Sequence, residues 1–348
     1  MGNRRFHSQA FDDGTLLKLE IFRGYIREWL PVFLSKKSYP EVHIYDFFAG
    51  PGTDAKGNPG SPLLIIDELE QYLTSDKAPL APDVRVFLHF NDADCDKMVQ
   101  LEAMIAQRTT ALPYAVKFTC MEFRLAFFES LQSIQNKDTA NLVIMDQCGI
   151  KEVHRDIFAT LVGCCATDIL FFVSSSFIRR FITDESVQQH FNIPEDEMCA
   201  VSAKDIHRYV CREFYQKLIP ADHLYHVAPF SIEKDRGANI YGIIFGSGSL
   251  FGLEKFLRVC WNKDGLLAKP TTTSMMTSFG TGRWRCSLRT ASSRSRTDFR
   301  GISRSSLGSA SQTTGTFISS SSKTDSCLPM LGRFCGVCRQ VATCPWWK

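Results

Sequence analysis

An alternation of short apolar runs with amphipathic runs, between residues 41 and about 261, constrains this fold more than any other feature of the sequence. Apolar runs of strand length predict strands over 42–46, 84–90, 115–121, 141–146, 168–174, 224–230 and 239–246. Helical spacing predicts helices over 62–74, 94–107, 124–135, 151–163, 184–191, 202–218 and 249–261. Strands that are apolar throughout and alternate with helices indicate a parallel sheet with helices on both faces.

The last two predicted strands follow each other with no helix between them. Five β–α units and a closing hairpin make up the strand count of the class I methyltransferase fold, in which the seventh strand lies antiparallel to the others. A nicotinamide-type Rossmann domain has no such hairpin. We therefore predict a doubly wound, Rossmann-like α/β domain with a seven-stranded sheet over residues 41–268.

Residues 15–34 carry apolar side chains at helical spacing. They predict an amphipathic helix in an N-terminal segment, residues 1–40, that packs on the core. Asp12 and Asp13 are both candidates for its N-cap.

The first predicted strand ends in a glycine-containing loop, Asp46-Phe47-Phe48-Ala49-Gly50-Pro51-Gly52. Ligands of doubly wound sheets bind beyond the carboxyl ends of the strands. Gly50 and Gly52 lack Cβ atoms and tolerate positive φ, so the backbone can approach a ligand closely. The pattern predicts that Asp46, Phe48, Gly50 and Gly52 contact S-adenosylmethionine near its amino-acid moiety. A tight turn that uses glycine for geometry alone is the alternative.

Asn91 and Asp92 follow the second predicted strand, and Asp92 is the better candidate of the two. A carboxylate there can accept hydrogen bonds from both ribose hydroxyls of the same cofactor. The alternative is that Asp92 caps the helix that starts near Asp94.

Asp146 and Gln147 end the fourth predicted strand, ahead of Cys148. Asp146 could orient a substrate nitrogen or act as a base, or it could be a structural acid at a strand end. The Asp/Asn-Pro-Pro-aromatic motif of amino methyltransferases is absent. Cys148 lacks the Pro-Cys context of a methyltransferase nucleophile.

Charge and cysteine content narrow the function classes. Residues 270–348 contain eleven Lys/Arg and two Asp, a net charge of +9. Because the whole chain carries +3, residues 1–269 carry −6. This acidic body gives no overall case for nucleic-acid binding. There is no export signal and no apolar run long enough to span a membrane, so we expect a cytoplasmic protein whose cysteines are reduced. The histidines show no metal-binding spacing.

The sequence changes character at residue 269. Ser and Thr make up 28 of residues 270–348, and hydrophobic periodicity disappears. This composition predicts an irregular tail, either disordered or produced by a frameshift near residues 265–273. Sequencing the gene would decide between them.

The chain resembles the three-Cys-motif partner protein (TcmP) family over about residues 15–268. The matching segments are Lys18–Tyr25, Tyr45–Gly52, Gly60–Leu63 and Asp146–Lys151. The resemblance implies a methyltransferase-like domain that acts with a phage-type three-Cys-motif protein, in nucleic-acid modification or defence. A non-catalytic partner or nucleic-acid-binding module that keeps the fold, at a mobile-element or defence locus, is the alternative. Cys148 and the tail depart from the family pattern.

Overall fold

The structure of the protein is a computed structural model, which describes residues 9–36, 38–75, 80–108, 113–147, 155–234 and 239–266. Its strands are β1 (Glu41–Asp46), β2 (Arg85–Asn91), β3 (Tyr114–Thr119), β4 (Thr139–Met145), β5 (Thr167–Val173), β6 (His226–Lys234) and β7 (Asn239–Ser247). They form one seven-stranded sheet in the order β3-β2-β1-β4-β5-β7-β6. Strands β1 to β5 are parallel, and β7 pairs antiparallel with both β5 and β6. This order confirms the predicted class I methyltransferase-like fold.

Helices cover both faces of the sheet. They are α1 (Asp13–Leu34), α2 (Ser61–Leu73), α3 (Cys95–Ala106), α4 (Phe123–Ile134), α5 (Arg155–Val162), α6 (Ser175–Arg180), α7 (Glu185–Phe191), α8 (Glu195–Ala200), α9 (Ile206–Val210) and α10 (Leu250–Leu266). One apolar core lies between the sheet and α1, α2, α3 and α10, and a second lies on the opposite face under α4 and α5. Covering both faces explains why the central strands are apolar throughout.

Helix α1 is the predicted N-terminal helix, and Asp12 caps it by accepting a hydrogen bond from Thr15 N at 2.8 Å. It packs on α2 and α10. The buried carboxylate of Glu68 on α2 accepts hydrogen bonds from Arg23 Nε at 2.6 Å and Arg27 Nη2 at 2.7 Å. These charge-assisted bonds fix α1 against α2, so the N-terminal helix is part of the folded domain.

The stretch predicted to be helical over residues 202–218 is helical from residue 203 to residue 218: α9 is preceded by a 3-10 turn and followed by a π turn at Cys211–Tyr215 and a second 3-10 turn. One expectation needs correction. The cysteines were expected to be reduced, but Cys95 and Cys120 form a disulfide with their Cα atoms 5.2 Å apart. Sequence spacing could not show this pairing because the two residues meet only when α3 packs beside the end of β3.

None of the helices in the described part of the chain is both long and apolar enough to cross a bilayer. The predicted tail, residues 269–348, lies outside the described residues, as do Cys148 and Gly149.

Candidate functional site

Asp46 ends β1 at the carboxyl edge of the sheet and is fully buried. Its Oδ1 accepts a hydrogen bond from Phe48 N at 3.2 Å, whereas its Oδ2 is buried with no hydrogen-bond partner. Burial raises the pKa of Asp46 to about 7, and the nearby carboxylates of Asp146 and Asp92 raise it further against the lowering effect of Ser61 and Phe48 N. Buried polar atoms nearly always have hydrogen-bond partners. Oδ2 of Asp46 is therefore a candidate contact for a hydrogen-bond donor or a cation of a ligand.

The loop after β1 adopts the backbone that its glycines permit. Gly50 has φ 64° and Gly52 has φ 95°, a region that other residues rarely adopt. A Cβ on Gly52 would lie 2.9 Å from Leu101 Cδ1 and 3.3 Å from Met104 Sδ. The missing side chain of Gly52 therefore also makes room for α3, in line with the geometric alternative. The ring of Phe48 stacks on Phe123 with 5.1 Å between centroids.

Asp92 is hydrogen-bonded to the glycine loop. Its Oδ2 accepts from Gly50 N at 3.1 Å, and its Oδ1 accepts from Asp94 N at 2.9 Å. The N-cap of α3 is Asp94, which accepts from Asp96 N at 3.1 Å. An ionised carboxylate has about four acceptor positions. A ribose at this edge would therefore share Asp92 with the loop.

Asp146 immediately follows β4, and its carboxylate forms an ion pair with Lys18 of α1. The amide of Gln147 is buried and donates to Phe172 O on β5 at 3.2 Å. Asp46 ends β1 and Asp146 follows the adjacent parallel strand β4, so both residues lie along the same edge of the sheet. The structure thus brings Asp46, Asp92 and Asp146 into one electrostatic neighbourhood.

The sequence predictions missed two residues of this neighbourhood. Lys18 is buried. Its position on the apolar face of α1 is the sequence feature that could have indicated a buried lysine with an acidic partner. Asn91 had been considered only as a weaker alternative to Asp92. Its side chain donates to Phe47 O at 3.3 Å and Met121 O at 3.0 Å, so it connects the loops that follow β1 and β3.

The segment between Gly52 and α2 forms a compact loop beside the site. Asp54 accepts hydrogen bonds from Phe11 N at 2.7 Å, Lys56 N at 2.8 Å, and both the backbone N and the Nδ2 of Asn58, at 2.8 and 2.7 Å. Desolvation acts to raise the pKa of Asp54, but these bonds together lower it to about 2. Gly60 N donates to Gly52 O at 2.7 Å, so this loop fixes the glycine loop from behind.

The described residues contain no cluster of three or more His, Cys, Asp or Glu side chains suited to a metal ion. A cavity of about 10 Å³ lies beside Phe47, His89, Asn91 and Lys117, which is room for one water molecule.

No protein family model matches the chain, and no curated protein matches it. Solved structures do. The O-methyltransferase TomG from Streptomyces achromogenes, solved in complex with SAM, is 10% identical, and the match covers 71% of this chain and 98% of that one with a TM-score of 0.33. An O-methyltransferase from Bacillus cereus, in complex with SAH, is 10% identical over 68% of this chain and 91% of that one, with a TM-score of 0.34. Such weak similarity says nothing about ligand or activity here.

Proposed function

We propose that this domain binds S-adenosylmethionine at the carboxyl edge of the sheet and acts as a methyltransferase. One observation carries the proposal: the buried Oδ2 of Asp46 has no hydrogen-bond partner, and it lies at the edge where this fold binds ligands. S-adenosylmethionine carries a sulfonium and an ammonium group. Asp146 is paired with Lys18, and Lys97 Nζ lies 3.5 Å from Asp92 Oδ1, so Asp46 is the carboxyl group of this edge that a cationic ligand suits.

Each predicted binding residue has a role consistent with its position. Asp46 would face the cationic end of the ligand, and Gly50, whose N–H donates to Asp92, would let the loop backbone approach the ligand closely. Asp92 would accept from the ribose hydroxyls. Phe48 would supply an apolar contact, and Gly52 would keep the loop close to α3. The cofactor supplies a methyl group bound to a positively charged sulfur, and the chain must supply only position and a proton acceptor.

The resemblance to the TcmP family supports a finer proposal. In it the domain acts in the cytoplasm with a three-Cys-motif protein, on nucleic acid, in modification or defence. The competing function is a non-catalytic module that keeps the fold and serves only as a partner or nucleic-acid binder. The partly exposed carboxylate of Asp146 at the end of β4 favours the enzyme, because a carboxylate at this edge can accept a proton from a substrate.

Titration calorimetry of the full chain with S-adenosylmethionine tests the proposal. We expect binding that weakens about tenfold or more in Asp92→Ala, since a good charge-assisted hydrogen bond contributes roughly 1.5–3 kcal/mol. Asp94→Ala is the matched control, because it removes a neighbouring carboxylate that caps α3 but has no proposed contact with the cofactor. No heat at millimolar ligand with a folded protein would refute cofactor binding. Equal losses in both variants would refute the role of Asp92.

A further inference from the structure

The carboxylate of Asp146 and the ammonium group of Lys18 form an ion pair beside the cofactor loop, between elements far apart in the chain. Lys18 comes from α1, and Asp146 follows β4. The relative solvent exposure of the side chain is 9% for Lys18 and 20% for Asp146. Asp146 is thus the more accessible member, and Lys18 lies behind it.

The surroundings of the pair fix its orientation. Lys18 Nζ lies 4.7 Å from the ring centroid of Phe172, a cation–π contact. By strand register Asp146 lies next to Phe172, because Met145 pairs with Phe171. Tyr241 of β7 packs on Phe172 with 5.2 Å between ring centroids. Both Phe172 and Tyr241 are partly buried, so Asp146 lies beside an aromatic pair at the carboxyl edge of the sheet.

Only one oxygen of Asp146 contacts Lys18. Oδ2 makes the ion pair, and within the described residues Oδ1 makes no hydrogen bond. A fixed carboxylate with one oxygen paired and the other open can accept a proton from a bound group. Because Lys18 is anchored in α1, the ion pair restricts the direction in which the carboxylate of Asp146 points.

We propose that Asp146 takes the proton from the acceptor in methyl transfer, and that Lys18 is a positioning residue that holds Asp146 towards it. This inference rests on the proposed cofactor site and adds the class of acceptor: a hydroxyl or an amine. The acceptor's lone pair forms the new bond to the methyl carbon. The electron pair of the broken S–C bond stays on sulfur as a neutral thioether, and the acceptor's proton passes to Asp146 Oδ1. An acceptor without a removable proton, such as a thioether, gains nothing from this pair.

The variants are Asp146→Asn, Lys18→Met, Lys18→Arg and the double variant Lys18→Met with Asp146→Asn. The double variant leaves no uncompensated charge, so it keeps the domain folded where a single variant fails to fold. Calorimetry with S-adenosylmethionine comes first, and we expect each folded variant to bind within about threefold of the native chain. Failure of the native chain to bind would refute the proposed function itself. The native chain could bind S-adenosylmethionine normally while the Lys18 and Asp146 variants lose that binding. This result would show that the pair contacts the cofactor, and it would overturn this inference.

Transfer of a labelled methyl group is measured next, with phenol, benzylamine and total RNA as acceptors and dimethyl sulfide as the acceptor without a removable proton. We expect labelled methyl groups in at least one O–H or N–H acceptor. The transfer rate should fall 100-fold or more in Asp146→Asn and in the double variant. Lys18→Arg should be faster than Lys18→Met. In Lys18→Met we expect kcat to fall about tenfold or more while KM for the acceptor stays within about twofold, since the pair positions the base and does not bind the acceptor. Absence of any recovery in Lys18→Arg would show a merely structural pair. Equal labelling of dimethyl sulfide, or no labelling by a chain that binds the cofactor, would also overturn the inference.

Discussion

At the scale of single residues, Asp46 is a carboxyl group without access to water. One oxygen accepts from Phe48 N, and the other is buried without a partner. Such a group is stable in a fold only if it keeps its proton or receives a counter-charge. The nearby carboxylates of Asp92 and Asp146 favour protonation of Asp46. A cationic ligand would supply the counter-charge.

Asp46→Asn should therefore change how stability depends on pH. The pKa of Asp46 in the folded chain is about 7, above its ordinary value of 3.8 because of burial. Between these values the folded state holds a proton that the unfolded state has lost, so this group lowers the free energy of unfolding as pH rises from about 4 to about 7. Asp46→Asn should remove that decline, which is of the order of a few kcal/mol.

Urea unfolding of the native chain and the variant at pH 5 and pH 8 measures the effect. Asp96→Asn is a control, since Asp96 is exposed on α3. A native chain as stable at pH 8 as at pH 5, with no difference from Asp46→Asn, would contradict the assigned burial.

The residue scale also shows what the sequence could not predict. Asp92 and Asp146 were identified because acids at strand ends share one edge of a parallel sheet. Lys18 was not, because its partner lies 128 residues along the chain and no local pattern connects them. The choice between Asn91 and Asp92 followed from chemistry, and the structure separates them. Asn91 is buried and connects loops, while Asp92 remains partly exposed.

At the scale of elements, the Cys95–Cys120 disulfide joins the start of α3 to the end of β3. Both ends flank the loop that carries Asp92. Helix and strand periodicity predicted these two elements correctly to within about two residues, because each has a clear apolar pattern. The disulfide depends on tertiary packing, so it was outside the reach of pattern analysis.

Cys95→Ser should lower the free energy of unfolding by about 3 kcal/mol, the value that loop-closure entropy gives for a loop of this length. Thermal unfolding with and without dithiothreitol is the measurement. The native chain should lose stability on reduction, whereas Cys95→Ser should be insensitive to the reductant. Cys199→Ser is the matched control, since Cys199 is a free, exposed cysteine. If reduction leaves the native melting temperature unchanged, these two thiols are not joined in solution.

At the scale of the whole molecule, the sheet is completed by β7, which lies between β5 and β6. The insertion needs close packing at Gly242, where a Cβ would lie 2.1 Å from Phe230 O and 2.6 Å from His207 Nε2. His207 is itself buried and held by Ile243 O at 3.1 Å and by Ser175 Oγ at 2.8 Å.

Gly242→Ala should therefore destabilise the whole domain by roughly 3 kcal/mol or more, because backbone atoms cannot move aside and the strand must shift. Gly248→Ala is the control, as its added Cβ would meet only Leu224 O at 4.0 Å. Circular dichroism during urea unfolding gives both free energies. Equal stability of the two variants would contradict the position of β7.

The central place of β7 has a consequence for the order in which the chain can fold during synthesis. Strand β5 exposes one unpaired edge until residues 239–247 have left the ribosome, and β6 has no partner at all before then. The exposed edge is apolar and would pair with other nascent chains, which makes this interval the aggregation-prone stage of biogenesis. Once residue 247 has emerged, all seven strands are available and the sheet can close.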